Sequence, residues 1–209
     1  MKFYDSATSP SPRRVRIFAA EKGVDLTLVP VDLRNREQLD PHFLKLNPWA
    51  TVPVLELDDG TCISEVSACQ RYLEAAYPEP PLMGRSPKEQ AIIAMWDHRI
   101  EWDGFLAAAE VLRNTVEGMK GRGLTGTVNH EQIPALAERG KRRLEWFYKF
   151  MNERLGESEY VAGPDFSVAD IDGLVVVDFA TRAKVPPPDG AANLKRWYDL
   201  VSARPSAGA

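Results

Sequence analysis

The chain has 209 residues, of which 44% are hydrophobic and 27% are charged. This composition is typical of a globular protein with one large domain or two small ones. The formal net charge of −4 argues against a general nucleic-acid binder, which needs a basic surface. We expect a cytoplasmic location, because the N-terminus lacks an apolar signal region and no stretch is long enough to span a membrane.

The predicted elements of residues 1–77 alternate between strands and helices. Ser11 is the predicted N-cap of the first helix, because Pro12 suits a first helical turn. Asp59-Gly60 is typical of a hairpin turn between two strands. The order is β-α-β-α-β-β-α, with elements at residues 2–5, 12–21, 26–31, 35–46, 54–57, 61–63 and from 65 onward.

The stretch at residues 47–73 reads NPWATVPVLELDDGTCISEVSACQRYL and carries most of the chemical information. Pro53 cannot donate to a sheet ladder, so the backbone groups of Val52 are expected to serve another partner. Glu65 and Ser67 stand at a predicted helix start, where unpaired N–H groups favour carboxylates. A loop that offers backbone groups beside an acid suits a peptide ligand with a free ammonium group.

The second half of the chain is predicted to be mostly helical after a proline-rich linker at residues 78–87. Ser86 is a predicted N-cap with Glu89 in the opening turn, and Ser167 and Asp170 have the spacing of a capping box. Glycines interrupt the pattern at residues 118–126. The predicted helices lie at residues 87–118, 133–155 and 171–179, with a last helix around 195–198.

Together these motifs resemble the glutathione S-transferase superfamily over nearly the whole chain. The family pattern N-P-x-G-x-V-P-x-L, a D-G hairpin and L-x-E-S-x-A-I correspond to residues 47–55, 59–60 and 63–69. Ala50 replaces a common Gly or polar residue, and Val66 stands where the family usually has Ser. The start at residues 4–23 looks most like the Gtt2-like fungal and bacterial subgroup. The resemblance implies a thioredoxin-like domain at residues 1–77, the linker, and an all-helical domain at residues 88–209.

The resemblance also implies how glutathione would be bound. Val52 would pair through its backbone with the cysteine moiety, with the Val52–Pro53 bond in the cis form. Glu65 would pair with the ammonium, and the N–H groups of Val66 and Ser67 would hold the γ-glutamyl carboxylate. Arg13, near the start of the first helix, could attract the anionic tripeptide, although a solvated surface position explains it as well.

Candidates for activating the glutathione thiol lie at the start of the first helix. Redox members of the thioredoxin fold carry C-x-x-C there, whereas this chain has Ser9-Pro10-Ser11-Pro12, so thiol–disulfide exchange is not expected. By its spacing to Val15, Ser9 matches the catalytic Ser of the theta and delta classes, and Ser11 is the second candidate. Both also fit ordinary loop and cap positions. In the Gtt2-like subgroup the first helix and groups from the second domain are thought to stabilise the thiolate instead.

The remaining expectations concern the second substrate, cofactors and partners. Aromatic residues at helical spacing fit core packing as well as a pocket. Two cysteines are expected to be buried free thiols, and the three histidines show no metal spacing. We expect no metal or cofactor, glutathione as a substrate, a small electrophilic second substrate, no nucleic-acid or membrane partner, and a homodimer. Alternatives are a non-catalytic relative, or a glutathione-dependent reductase, peroxidase or isomerase. The second-substrate candidates between the domains are Trp96, Arg99, Trp102, Phe105, Leu112, Asn114 and Thr115.

Overall fold

The computed structural model describes residues 1–209 and divides into two compact units. The first unit comprises residues 1–80, 125–129 and 208–209. The second comprises residues 81–124 and 130–207. No helix combines the length and the apolar character needed to cross a bilayer.

A four-stranded mixed sheet forms the centre of the first unit, in the order β2-β1-β3-β4. β1 pairs with β2 in parallel and with β3 antiparallel, and β3 and β4 form an antiparallel hairpin. The predicted order β-α-β-α-β-β-α is confirmed. The elements are β1 Lys2–Asp5, α1 Pro10–Glu21, β2 Thr27–Pro30, α2 Pro41–Leu46, β3 Val54–Glu56, β4 Cys62–Ser64 and α3 Val66–Ala76.

Helix α1 begins two residues earlier than predicted. Pro10 occupies the first helical turn, where its fixed φ fits and its missing N–H is not needed. Ser9 is therefore the N-cap residue, and the prediction of Ser11 as N-cap is wrong because Ser11 lies inside the helix. Both Pro10 and Pro12 fit the first turn, so their presence alone did not distinguish the two starts.

The predicted helical segment at residues 35–46 is shorter in the structure. The Asp32 carboxylate accepts hydrogen bonds from the N–H groups of Arg34 (2.8 Å) and Asn35 (3.1 Å), which holds a turn there. A short 3₁₀ helix at Glu37–Leu39 follows. The Asp40 side chain then accepts from the His42 N–H at 3.0 Å and caps α2. Side chains that bond to nearby backbone compete with helix formation, which explains the shortening.

The first unit buries both faces of its sheet. Apolar side chains from β1, β3, α1 and α3 fill one core, and a smaller cluster of Val31, Phe43, Val52 and Val54 packs beside Tyr4. The two thiols are unpaired, but only Cys69 is fully buried; Cys62 is partly exposed, so that expectation is half wrong. Fully buried core side chains are Phe3, Val15, Phe18, Val54, Leu55, Cys69 and Leu73.

The second unit is helical, as predicted. Ser86 and Glu89 form the expected capping box at the first of its helices. Ser167 and Asp170 form the second box, and nearly all of the helix that follows is buried. The elements are α4 Pro87–Arg99, a π-helix at Ile100–Phe105, α5 Leu106–Thr115, α6 Pro134–Glu157, α7 Val168–Arg182 and α8 Ala192–Ser202, with 3₁₀ turns at Glu117–Met119 and Pro205–Gly208.

The π-helix at Ile100–Phe105 was not predicted. Gly104 lies inside it, and a Cβ there would come within 2.7 Å of Val176 and 2.9 Å of Phe147. A larger residue would therefore require the side chains of Val176 and Phe147 to shift. The Arg143 guanidinium donates to the carbonyl oxygen of Trp102, a backbone group in the π-helix. A short change from α-helical to π-helical hydrogen bonding cannot be predicted from the spacing of hydrophobic residues.

Candidate binding and catalytic site

Strand register gathers the predicted binding residues at one end of the sheet. In the β3–β4 hairpin Val54 pairs with Ser64. Val52 lies two residues before Val54, and two residues after Ser64 helix α3 begins at Val66. Glu65 immediately precedes that residue. The loop before β3 and the start of α3 therefore meet at the same edge of the sheet.

The end of β1 reaches the same edge. Tyr4 pairs with Val54 in the antiparallel β1–β3 ladder. Ser6 lies one residue beyond the end of β1, and Val52 lies two residues before the start of β3. Ser9 follows through a turn in which its N–H donates to the Ser6 carbonyl at 2.8 Å. The start of α1 is thus carried to the loop that contains Val52.

Val52 offers an unpaired stretch of backbone at this edge. The Val52–Pro53 peptide bond is cis, which confirms the prediction. Neither the N–H nor the carbonyl of Val52 makes a hydrogen bond within the protein, while its side chain is buried in the cluster around Phe43. The anchored side chain and the free backbone together suit an extended peptide ligand.

Asn47 holds the loop around Val52 in shape. Its side-chain Nδ2 donates to the Thr51 carbonyl at 2.9 Å and to Thr51 Oγ1 at 3.0 Å, and its Oδ1 accepts from the Trp49 N–H at 3.1 Å. Ala50 adopts a φ of 54°, a conformation that favours glycine. This is the position at which the family pattern commonly has Gly, so the structure explains that preference.

Glu65 is the most unusual residue of the site. It is exposed, has a φ of 70°, and stands at the N-cap of α3 without a side-chain capping bond. Its carboxylate has no hydrogen-bond or ion-pair partner within the protein. Backbone strain of this kind costs energy and is concentrated at functional sites. An accessible carboxylate held in a strained position can pair with a cationic group of a ligand.

The start of α3 supplies anion-binding groups next to Glu65. The N–H groups of Val66 and Ser67 make no hydrogen bond within the protein, as expected for a first helical turn. The side chain of Val66 is 8% exposed and packs in the interior. The departure from the usual Ser therefore replaces a hydroxyl with buried apolar atoms and leaves the backbone donor in place.

The Ser9 hydroxyl also lacks its usual partner. An N-cap serine normally accepts from the N–H two or three residues into the helix. The third position is Pro12, which has no N–H, and the Ser9 side chain makes no capping bond. Ser11 lies in the first turn of α1 with its hydroxyl unbonded. Both hydroxyls are therefore able to contact a ligand.

The hydroxyl of Tyr4, in β1, is hydrogen-bonded to another side chain of the protein. Its hydroxyl donates to Glu56 at 2.7 Å. Burial, with Glu56 as a second cause, raises the pKa of Tyr4 to about 12. A phenol in this state is a poor candidate for stabilising a thiolate at neutral pH.

Arg13 lies in a separate cavity of about 600 Å³ on the α1–β2 side of the first unit. Asp5, Arg16 and Leu28 also line this cavity, whereas Val52, Glu65 and Ser67 do not. Asp5 pairs with Arg16 at 2.5 Å. The structure thus gives Arg13 surroundings different from those of the other predicted binding residues.

The predicted second-substrate residues of the second unit have contrasting surroundings. Trp96 is buried, with Phe150 stacked on it at 5.4 Å and the Arg99 guanidinium over its ring at 4.9 Å. Trp102 is 57% exposed and stacks with His98. Trp102 is therefore far more accessible to a ligand than Trp96.

The polar candidates at the end of α5 are engaged within the unit. Asn114 donates to the Glu110 carbonyl and accepts from the Ile133 N–H, both at 2.8 Å. The Thr115 hydroxyl donates to the Val111 carbonyl at 2.7 Å. Leu112 is partly exposed and Phe105 packs on Phe179 at 5.2 Å. The bond between Asn114 and Ile133 joins the end of α5 to the segment before α6, and the other two bonds lie within α5.

Two buried polar side chains were missed from the sequence. Ser6, which follows the last residue of β1, is 9% exposed. The Gln38 side chain is buried and its Oε1 has no partner. No local signal in the sequence marks either residue. No group of three or more His, Cys, Asp or Glu side chains is arranged to hold a metal ion.

The fold is that of a thioredoxin-like domain followed by a helical domain. Comparison with known families agrees: "Glutathione S-transferase, N-terminal domain" matches residues 8–76 and "Glutathione S-transferase, C-terminal domain" matches residues 122–205. "Glutathione S-transferase 2" of Saccharomyces cerevisiae is 34% identical over 208 residues, which cover 99% of this chain and 87% of the relative. The chain belongs to the glutathione S-transferase family.

Solved structures extend the similarity to the subgroup. A glutathione S-transferase domain-containing protein of Marinobacter aquaeolei VT8 matches with a TM-score of 0.92 and 39% identity over 99% of both chains. Gtt2 from Saccharomyces cerevisiae matches with a TM-score of 0.91 and 33% identity, over 100% of this chain and 99% of that chain. A class Gtt2 transferase of Vibrio parahaemolyticus has a TM-score of 0.84 and 34% identity over 99% and 94% of the chains. The predicted resemblance to the Gtt2-like subgroup is confirmed.

Proposed function

We propose that the chain conjugates the thiolate of glutathione to small, electrophilic, apolar molecules. The observation that carries the proposal is the unpaired backbone of Val52 beside the exposed and strained carboxylate of Glu65. A fold can stabilise itself without either feature. Both together match a peptide that carries a free ammonium group, and membership of the family names that peptide as glutathione.

Each part of glutathione has a partner in this proposal. The N–H and carbonyl of Val52 bind the backbone of the cysteine moiety, and Pro53 fixes the direction of the loop. Glu65 pairs with the γ-glutamyl ammonium. The N–H groups of Val66 and Ser67 hold the γ-glutamyl carboxylate at the positive end of α3.

The chemical step requires only a deprotonated sulfur and an electrophile held nearby. The thiol proton passes to solvent, and the thiolate then forms a sulfur–carbon bond as the leaving group departs with its electron pair. The first turn of α1 contains no acid that would neutralise its positive end. That end and the unbonded Ser9 hydroxyl favour the thiolate over the thiol. No metal or redox cofactor takes part.

The proposal also covers the second substrate, the oligomeric state and the location of the protein. The exposed Trp102 is proposed to contact the apolar part of the electrophile. We further propose a homodimer located in the cytoplasm, with a role in detoxification and without a nucleic-acid or membrane partner. The proposed glutathione-binding domain spans residues 1–77.

Titration calorimetry with glutathione tests the binding half of the proposal. Glu65→Gln removes the charge but keeps the shape, and it is expected to weaken binding about 10- to 100-fold, because a hydrogen bond between charged groups contributes about 1.5–3 kcal/mol. Glu159→Gln removes another exposed acid, in the second unit, and should bind like the wild type. Failure of the wild-type chain to take up millimolar glutathione contradicts the proposal.

Turnover with chlorodinitrobenzene and a panel of other electrophiles tests the chemical half. Conjugates that require both glutathione and the chain support the transferase. Binding without turnover on any electrophile favours a non-catalytic relative. Turnover only of hydroperoxides or of isomerisable substrates favours a peroxidase or isomerase on the same fold.

A further inference from the structure

The two most exposed large hydrophobic side chains of the protein lie in two loops. Trp49, which is 72% exposed, belongs to the loop that contains Val52, and Val128, which is 63% exposed, belongs to the loop between α5 and α6. Residues 125–129 of the second loop are part of the first compact unit, although the residues on both sides of them belong to the second. Both side chains are therefore features of the unit that carries the candidate site.

Gly126 lies where these two loops meet. A Cβ atom at Gly126 would be 3.8 Å from the carbonyl oxygen of Trp49. The φ of Gly126 is 116°, a conformation that glycine adopts more readily than other residues. Val52 follows Trp49 by three residues, which span at most about 11 Å. An extended tripeptide is of similar length, so a peptide bound at Val52 is long enough to reach the segment around Gly126.

Hydrogen bonds hold the base of the loop between α5 and α6. The Gly123 N–H donates to the His130 carbonyl at 2.8 Å, and the His130 N–H donates to the Gly121 carbonyl at 3.1 Å. The Arg113 guanidinium donates to the Arg122 carbonyl at 3.0 Å. These bonds bring the two ends of the loop together, as in the compact surface loops that frequently carry function.

The tip of this loop, residues 124–129, has no such support. No backbone N–H or carbonyl group of these residues makes a hydrogen bond within the protein. All of them except Gly126 are exposed. Segments with a solvent-exposed backbone and few buried apolar contacts open most easily. The tip can therefore change its position while the base keeps its hydrogen bonds.

We propose that residues 124–129 form a lid that closes over glutathione bound at Val52. This inference rests on the proposed function, because it needs glutathione in the site. Closing allows the unbonded backbone groups of the tip to bind the peptide, and it removes apolar surface of Trp49 and Val128 from water. Without glutathione the conformational entropy of the tip favours the open state, and the ligand shifts the population toward the closed one.

Hydrogen exchange followed by mass spectrometry tests the closing. In the free protein the amides of residues 124–129 should exchange at nearly the unprotected rate, because they have no hydrogen bonds. Saturating glutathione should slow this exchange about 10-fold, which corresponds to a lid that is closed about 90% of the time. The amides of Val66 and Ser67, proposed to hold the γ-glutamyl carboxylate, should be protected as well.

The outcomes of this experiment separate the lid from the proposed function. Protection of Val66 and Ser67 without protection of residues 124–129 overturns the lid. Protection of the tip that depends on protein concentration and not on glutathione also overturns it, and indicates a contact between copies of the chain. No protection at either place, with no binding of glutathione in calorimetry, contradicts the proposed function itself.

Variants of the tip test whether the lid slows the release of glutathione. Replacing residues 125–129 with two glycines removes most of the tip and leaves the base intact, and it should raise the dissociation rate in stopped-flow measurements about 10-fold, the equivalent of one or two hydrogen bonds. Val128→Ser should raise this rate about threefold to fivefold, because less apolar surface is buried on closing. Val116→Ser makes the same change at an exposed valine outside the tip and should leave the rate unchanged.

Circular dichroism and thermal melting establish that each variant is folded. A wild-type dissociation rate in the folded variant with the shortened tip overturns the lid, as does an equal effect of Val128→Ser and Val116→Ser. If the variant with the shortened tip does not fold, the comparison of the two serine variants decides alone.

Discussion

The buried carboxylate of Asp170 is expected to contribute strongly to the stability of the second unit. Its carboxylate is fully buried, and Oδ1 accepts from the Val161 N–H at 2.9 Å and from the Trp197 indole N–H at 2.8 Å. Oδ2 accepts from the Ser167 N–H at 3.0 Å and the Ser167 hydroxyl at 3.2 Å. One side chain thus joins the segment before α7, the start of α7, and α8.

Replacing Asp170 with alanine should lower the free energy of unfolding by about 3 to 9 kcal/mol. Three buried N–H donors lose their acceptor, and each unsatisfied buried group costs about 1–3 kcal/mol. Since domains are stable by only about 5–15 kcal/mol, this loss is close to the limit for folding. Trp197→Phe removes one donor but leaves the carboxylate bonded, so a smaller loss of about 1–2 kcal/mol is expected.

Urea unfolding, followed by circular dichroism and by tryptophan fluorescence, measures these losses. The Asp170→Ala and Trp197→Phe double variant should lose at least about 1 kcal/mol less than the sum of the single losses, because the two residues share one bond. A loss below about 1 kcal/mol for Asp170→Ala, or strict additivity, would refute the reasoning.

The stability contributed by Asp170 should also depend on pH. Burial raises the pKa of Asp170 to about 6, against the opposing effect of the hydrogen bonds donated to it. The folded state therefore keeps a proton that the unfolded state has released between about pH 4 and pH 6. The contribution of this group is greatest below about pH 4, falls by about 3 kcal/mol as the pH rises to about 6, and is constant above that.

Asp170→Asn checks the sign, because asparagine does not titrate. The stability difference between the wild type and Asp170→Asn should be larger at pH 4 than at pH 7. A difference that is the same at both values, or larger at pH 7, contradicts the raised pKa.

Two further predictions concern close packing and a buried ion pair. Gly104→Ala should lower the free energy of unfolding by about 1–3 kcal/mol, because the added methyl group meets Phe147. Gly118→Ala, which meets nothing within 4 Å, should change it by less than about 0.5 kcal/mol, and calorimetric melting compares the two. Lys22→Met should cost about 3–5 kcal/mol, because it removes the lysine paired with Glu74 at 2.5 Å and the donor to the Pro80 carbonyl. Adding Glu74→Leu should restore the part of that loss that comes from the charge pair, as measured by urea unfolding; no recovery would show that the charge pair is not a cause.

Elements marked by short-range signals were predicted well. The capping boxes at Ser86 and Ser167 depend on residues three apart, and both form as expected. The start of α1 was misplaced by two residues, because Pro10 and Pro12 satisfy the same local rule. The π-helix around Gly104 was missed, and so was the close approach of Phe147 and Val176, which come from distant parts of the chain.

Some features of the candidate site were likewise predicted from sequence motifs, and others were found only in the structure. Val52, Pro53, Glu65 and Ser67 were found as members of a motif that is continuous in sequence. The strained φ of Glu65, by contrast, has no signal in the sequence. The partners of Asn114 and the separate cavity of Arg13 likewise depend on neighbours that the sequence order does not reveal.

The amino-acid sequence by itself determined the family, the order of strands and helices, and the loop that offers Val52 beside Glu65. These features depend on turn residues, caps and hydrophobic spacing within a few positions, where the chain has few alternatives. Tertiary structure alone decided the strand register, the strained φ of Glu65 and the π-helix around Gly104. Those features depend on contacts between segments far apart in the chain, which are established only when the core packs.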